Sequence, residues 1–119
     1  MTVNTQWLGS GRDLLGESPV WDADEQALYW VDSRRCCVQR WHATQPLRSW
    51  ATPSEVGSIA LAQAGTLLLA LVEGFATLDL HSGDVKPIAT VTHPTPAMRL
   101  TDGRTDREGR FLCGSMVLH

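Results

Sequence analysis

No stretch of this 119-residue sequence has the length or apolarity of a membrane span. The longest apolar run, Leu67 to Val72, falls far short of the ~20 residues a spanning helix needs. Helical periodicity is equally absent: no window of eleven or more residues keeps apolar side chains at i, i+3, i+4 and i+7. Basic clusters are missing too. Ten Lys and Arg against thirteen Asp and Glu leave a formal charge of -3, and Arg34–Arg35 is the one adjacent basic pair, so a nucleic-acid footprint is not expected. The segment Met1 to Trp7 lacks the basic start and apolar stretch of a secretory signal, and a cytoplasmic location is the expectation. Three cysteines, Cys36, Cys37 and Cys113, are an odd number without C-x-x-C spacing. They imply free thiols rather than a disulfide framework or a zinc site. No H-E-x-x-H or paired histidine spacing appears among the four histidines. Gly9-Ser-Gly11 lacks the full G-x-S-x-G of a nucleophile elbow.

What remains is a globular composition, 43% hydrophobic and 19% charged, organised as a repeat. Leu28-Tyr-Trp-Val-Asp32, Leu67-Leu-Leu-Ala-Leu71 and Phe111-Leu-Cys-Gly-Ser115 are short apolar segments starting 39 and then 44 residues apart. Each follows a polar or glycine-bearing turn, and Gly65 and Gly109 stand two positions before their segments, where a tight turn demands positive φ. A second register agrees with the first. Trp41 and Leu80 are 39 apart, and so are His42 and His81, read as turn residues on the outer part of each unit. Runs of four to six apolar or alternating residues, separated by Gly, Pro, Asp or Ser, fill each period. About 40–45 residues holding four short strands is the pattern of a β-propeller blade. A repetitive β-sandwich is the competing all-β reading. The tryptophans at 21, 30, 41 and 50 alternate with polar residues and are expected to pack between blades.

Gly16-Glu-Ser-Pro-Val-Trp-Asp22, followed by Leu28-Tyr-Trp-Val-Asp32, resembles the opening of the gluconolactonase, regucalcin (senescence marker protein) and luciferin-regenerating enzyme family, which typically reads Gly-Glu-Gly-Pro-x-Trp before a Leu-Tyr-Trp-x-Asp strand. Arg99-Leu-Thr-Asp-Gly103 and Gly109-Arg-Phe-Leu-Cys-Gly-Ser-Met116 resemble its second hallmark, Arg-x-Asn-Asp-Gly and then Gly-Arg-Phe-x-x-Gly-Thr-Met. The resemblance implies an all-β partial propeller, about two and a half four-stranded blades of a six-bladed fold, approximately 15–55, 56–97 and a partial 98–119. It implies hydrolysis of a sugar lactone with a divalent cation, calcium, magnesium or zinc. Glu17 matches the family's glutamate metal ligand, and hard cations favour such an oxygen donor. Arg99 matches its substrate-contacting arginine. Thr101 stands where the family usually has asparagine, a departure that bears on activity or substrate choice. Asp102 reads as structural, satisfying amides of an Asp-Gly turn. No general base is evident.

At ~45 residues per blade the chain makes about 2.6 blades, too few to close a six-bladed ring. Three resolutions stand open: a piece or shortened copy of a longer protein; a homo-oligomer, such as a trimer of two-blade units or a dimer, closing a ring; or a non-catalytic fragment acting as a binding or self-assembling interaction module.

Overall fold

The computed structural model describes residues 12–94 and 98–117; Gly9–Gly11 and His119 lie outside that range. The described residues form ten strands and no helix, and so none long and apolar enough to cross a membrane. β1 (Gly16–Asp22), β2 (Ala27–Asp32), β3 (Cys37–His42) and β4 (Gln45–Ala51) make one antiparallel meander. β5 (Val56–Leu61), β6 (Thr66–Leu71), β7 (Gly74–Asp79) and β8 (Val85–Thr90) make a second, in the same order. β9 (Met98–Thr105) and β10 (Phe111–Val117) form a hairpin. The first strands of the three sheets lie side by side, β1 against β5 and β5 against β9. That radial placement makes the fold a partial β-propeller rather than a sandwich.

The repeat is visible in the backbone. Gly65 and Gly109 have φ of 78° and 82°, and Gln26, immediately before β2, has φ of 55°. The same turn therefore recurs three times, once without glycine. Its cost at Gln26, about 1 kcal/mol, is offset by the side-chain amide, which donates to Ala23 O at 2.7 Å. Position within a sheet decides composition. The inner strand β5 is buried at Val56 through Ala60 because sheets flank both its faces. The outer strands β4 and β8 are largely exposed. The strand prolines Pro19, Pro46 and Pro87 lie in β1, β4 and β8, edge strands of their sheets, where no ladder hydrogen bond is lost.

Tyr29, Val31 and Val38 of the first sheet meet Ile59, Leu67, Leu69 and Leu78 of the second in one continuous core. Trp50 joins it, its indole N–H reaching across to Leu80 O at 3.2 Å. The other tryptophans sit elsewhere. Trp21 is exposed, and Trp30 and Trp41 are half-buried outside that core. Trp21, Leu28 and Trp41 are register partners, so with Trp30 they form the opposite face of the first sheet.

The inner strands approach closely at Gly57, where a Cβ would lie 2.3 Å from Leu100 O. Gly57→Ala is therefore expected to prise β5 from β9 and cost about 1–3 kcal/mol, measured by urea unfolding. Gly65→Ala, with nothing within 4 Å of the added carbon, should cost only about 1 kcal/mol from its positive φ.

Candidate functional site

The three inner strands border a cavity of about 730 Å³, lined by Glu17 to Val20 of β1, Ile59 to Leu61 of β5 and Thr101 to Thr105 of β9. Glu17 reaches it because β1 begins at a fixed place. The Asp32 carboxylate, fully buried, accepts the amides of Leu14 (2.9 Å), Leu15 (3.1 Å) and Arg35 (3.3 Å), and Ser33 N donates to Leu15 O at 2.9 Å. Asp13 adds a strap, its carboxylate accepting the Trp30 indole N–H at 2.8 Å and the Gln39 amide. Burial pushes the Asp32 pKa upward, but the three amides and the nearby Arg35 charge outweigh it and hold the carboxyl below its ordinary range.

Beyond Glu17 the backbone turns sharply. Ser18 takes φ of 52°, and the β1–β2 register shifts between Glu17 and Val20. Glycine, the residue the resemblance leads one to expect here, adopts that conformation freely. Serine holds it because its hydroxyl accepts Ile59 N–H at 3.1 Å, joining the first sheet to the second beside the cavity.

Glu17 and Thr101 thus share one cavity, while Arg99 does not line it. Arg99 is 3% exposed, with Nε 3.2 Å from Glu55 Oε2 and Nη1 donating to Leu100 O at 3.1 Å. The Glu55 oxygen lies off the Nε–H direction, so this contact is a Coulombic pair and Nε–H makes no hydrogen bond. Thr101 is held through its carbonyl, which accepts from Ser58 Oγ (2.8 Å) and Cys113 Sγ (3.1 Å). Asp102 accepts Gly103 N–H at 3.0 Å, yet no turn forms there, because β9 runs unbroken through both residues. The expected turn gives way to a strand whose irregularity lies in its pairing with β10. Arg104 also lines the cavity. Sequence reasoning missed it, although strand alternation puts it two positions from Asp102.

The oxygen donors around the cavity, Glu17, Asp102 and Thr101 among them, suit a hard cation. Glu17 is the residue that would hold it. Among the described residues no three His, Cys, Asp or Glu side chains gather as a metal cage, so the fit is in donor type and not in number. The three cysteines are free and partly buried. The Cys36 thiol is pushed up by burial and then by the neighbouring charges of Glu55, Cys37 and Asp32. His93 bonds Val72 O, away from the cavity.

The family model described as SMP-30/Gluconolactonase/LRE-like region matches residues 15–119. Regucalcin of Xenopus laevis is 38% identical over 103 residues, which are 86% of this chain and 34% of that protein. The 6-deoxy-6-sulfogluconolactonase of Pseudomonas putida is 36% identical over 109 residues, 87% of this chain and 36% of its own. The crystal structure of a calcium-binding protein, regucalcin, from Agrobacterium tumefaciens superposes with a TM-score of 0.85 at 24% identity, covering 92% of this chain and 38% of that one. The chain therefore spans about a third of the length of the curated relatives it matches.

Substitutions at two positions, Ser18 and Asp32, test how Glu17 is presented. Ser18→Ala keeps the unfavourable φ and orphans Ile59 N–H, so a loss of about 1–3 kcal/mol is expected. Ser18→Gly, which relieves the backbone while losing the bond, should stay within about 1 kcal/mol of the parent; urea denaturation of both variants decides. For Asp32→Asn, a loss of about 1–3 kcal/mol at neutral pH is expected. Because the folded pKa is depressed, the advantage of Asp32 is complete above the unfolded carboxylate range and fades as pH falls through the folded value. Parent and variant stabilities should converge in acid, as read from denaturation curves across pH.

Proposed function

The chain belongs to the SMP-30/gluconolactonase/LRE-like family, and on that premise we propose that it serves divalent-cation-assisted hydrolysis of a sugar lactone, as one arc of a complete propeller ring. The observation that carries the reading is Glu17, half-buried on the innermost strand and facing the same cavity as Thr101. The sugar-acid lactonase named among the relatives supports the substrate class, and the regucalcin called calcium-binding supports the cation. The other ligands come from outside this arc, in further blades or in copies that close the ring.

A cation held there supplies polarisation of the lactone carbonyl and activation of water. In the reaction a water oxygen bonds to the carbonyl carbon and the ring C–O bond breaks. One water proton passes to the ring oxygen and the other to solvent, leaving a hydroxy carboxylate. The Thr101 side chain, shorter than asparagine and carrying only a hydroxyl, offers the substrate a single donor–acceptor group. Arg104 brings a fixed positive charge to the wall, suited to the carboxylate as it forms. Arg99, buried against Glu55, works from behind the strand; direct contact with substrate requires that pair to open.

The second reading, a non-catalytic interaction module, draws on the lack of a three-ligand cluster among the described residues. Acid release from gluconolactone separates the two. The ring-closed protein is expected to hydrolyse it only with calcium, magnesium or zinc present, to stop when the cation is chelated, and to lose at least about 100-fold in kcat/KM on Glu17→Gln. A chelator-insensitive rate or an unchanged Glu17→Gln variant defeats the cation mechanism. A metal-free monomer without lactone turnover assigns the chain to the interaction role.

A further inference from the structure

Away from the axis, the outer ends of the first two sheets enclose a cleft of about 440 Å³ whose walls include Arg40, His42, Arg48 and His81. His42 and His81 are the residues 39 apart in the repeat. Folding brings one repeat position from two adjacent blades to the same place. Glu25 is the acidic residue of this lining, and it is already engaged: Oε2 accepts the Tyr29 hydroxyl at 3.0 Å and Arg40 Nη2 at 3.3 Å. Next to His81, the Asp79 carboxylate is turned to its own loop, accepting the amides of His81 (2.8 Å) and Ser82 (3.1 Å).

The donors are less fully used. Buried Arg40 spends Nε on Tyr29 and Nη1 on Gln45. Exposed Arg48 lies over the Trp50 ring at 4.6 Å and gives Nη2 to Leu80 O at 3.1 Å. Its remaining N–H groups have no partner among the described residues. The stacking fixes the guanidinium at the cleft without consuming its charge. His42 Nδ1 accepts Thr44 N–H at 3.2 Å, which places the proton of the neutral ring on Nε2 and leaves that N–H as a donor. The His81 ring is exposed and, unlike that of His42, has no hydrogen-bond partner among the described residues. Gly65 lines the same cleft, and the space beside it, where a side chain would begin, is open for 4 Å.

We propose that this interblade cleft binds a small phosphate-type oxyanion, held by the Arg48 guanidinium and by the imidazole N–H groups of His42 and His81. A tetrahedral dianion presents several acceptor oxygens, matching a guanidinium fork and two ring donors converging from different blades. Both contributing sheets are complete within this chain, so the site stands whether or not the axial cavity hydrolyses lactones.

The test is a titration of the chain with inorganic phosphate and, separately, glycerol 3-phosphate, against chloride at matched ionic strength. It is followed by calorimetry and by the histidine ring resonances. Saturable binding with a Kd on the order of millimolar is expected, with shifts at His42 and His81. Arg48→Gln should weaken it about tenfold or more and His81→Gln about threefold. Arg48 also bonds Leu80 O; if its variant fails to fold, His81→Gln, whose side chain supports nothing in the fold, carries the test. Equal affinity for the two probes identifies free phosphate as sufficient, and tighter binding of the ester identifies a phosphorylated metabolite. The proposal is overturned by absence of saturable binding to either probe, by unaltered affinity in His81→Gln, or by ring resonances that stay still while shifts appear elsewhere.

Discussion

An innermost strand in a radial stack of sheets has one hydrogen-bonding edge with no strand to pair, and that edge faces the central cavity. Most of what surrounds the site answers this constraint. Ser18 Oγ takes Ile59 N–H across from the first sheet to the second, and Ser58 Oγ gives its proton to Thr101 O across from the second to the third. Gly57 lets the β5 and β9 backbones approach to a separation that no side chain would permit. Two hydroxyls and one missing methyl hold three sheets around the axis. They leave the carboxylate of Glu17, beside the first of these bonds, aimed at the space the strands enclose.

Charge is handled in the same way. Buried charges are committed, Asp32 to backbone amides and Arg99 to Glu55. Glu17, Asp102 and Arg104 remain for whatever enters the cavity. The result is a cavity whose charged groups carry opposite signs. Burying Arg99 costs desolvation that the partly exposed Glu55 repays only in part, since Nε–H lacks an aligned acceptor.

The fold was largely legible because its information is periodic. Strand starts recurred at 39 and then 44 residues and the histidines at 39, and the turns took positive φ even where glycine gave way to Gln26. The position of Glu17 was legible for a related reason: Gly16 and Pro19 mark a kinked inner strand. Other features were not. The tryptophans look alike in sequence, but each strand has two faces, and Trp50 alone of those at 21, 30, 41 and 50 points into the core between the first two sheets. Arg99 was expected at the cavity; its pairing with Glu55, 44 positions earlier, depends on how two sheets dock, which local pattern does not encode. Asp102-Gly103 reads as a turn by composition, but β9 runs on through both residues to Thr105, with Gly103 paired to Cys113 of β10. The histidine pair looked like loop punctuation, and only the angle between blades reveals that both border one cleft.

The prolines of the outer strands have a further consequence. Pro46 and Pro87 remove amide donors from β4 and β8, the strands that carry the rim of each blade. A stray strand arriving from outside finds an interrupted ladder and little purchase. Growth by lateral zippering, the usual hazard of an exposed sheet edge, is blunted at the circumference.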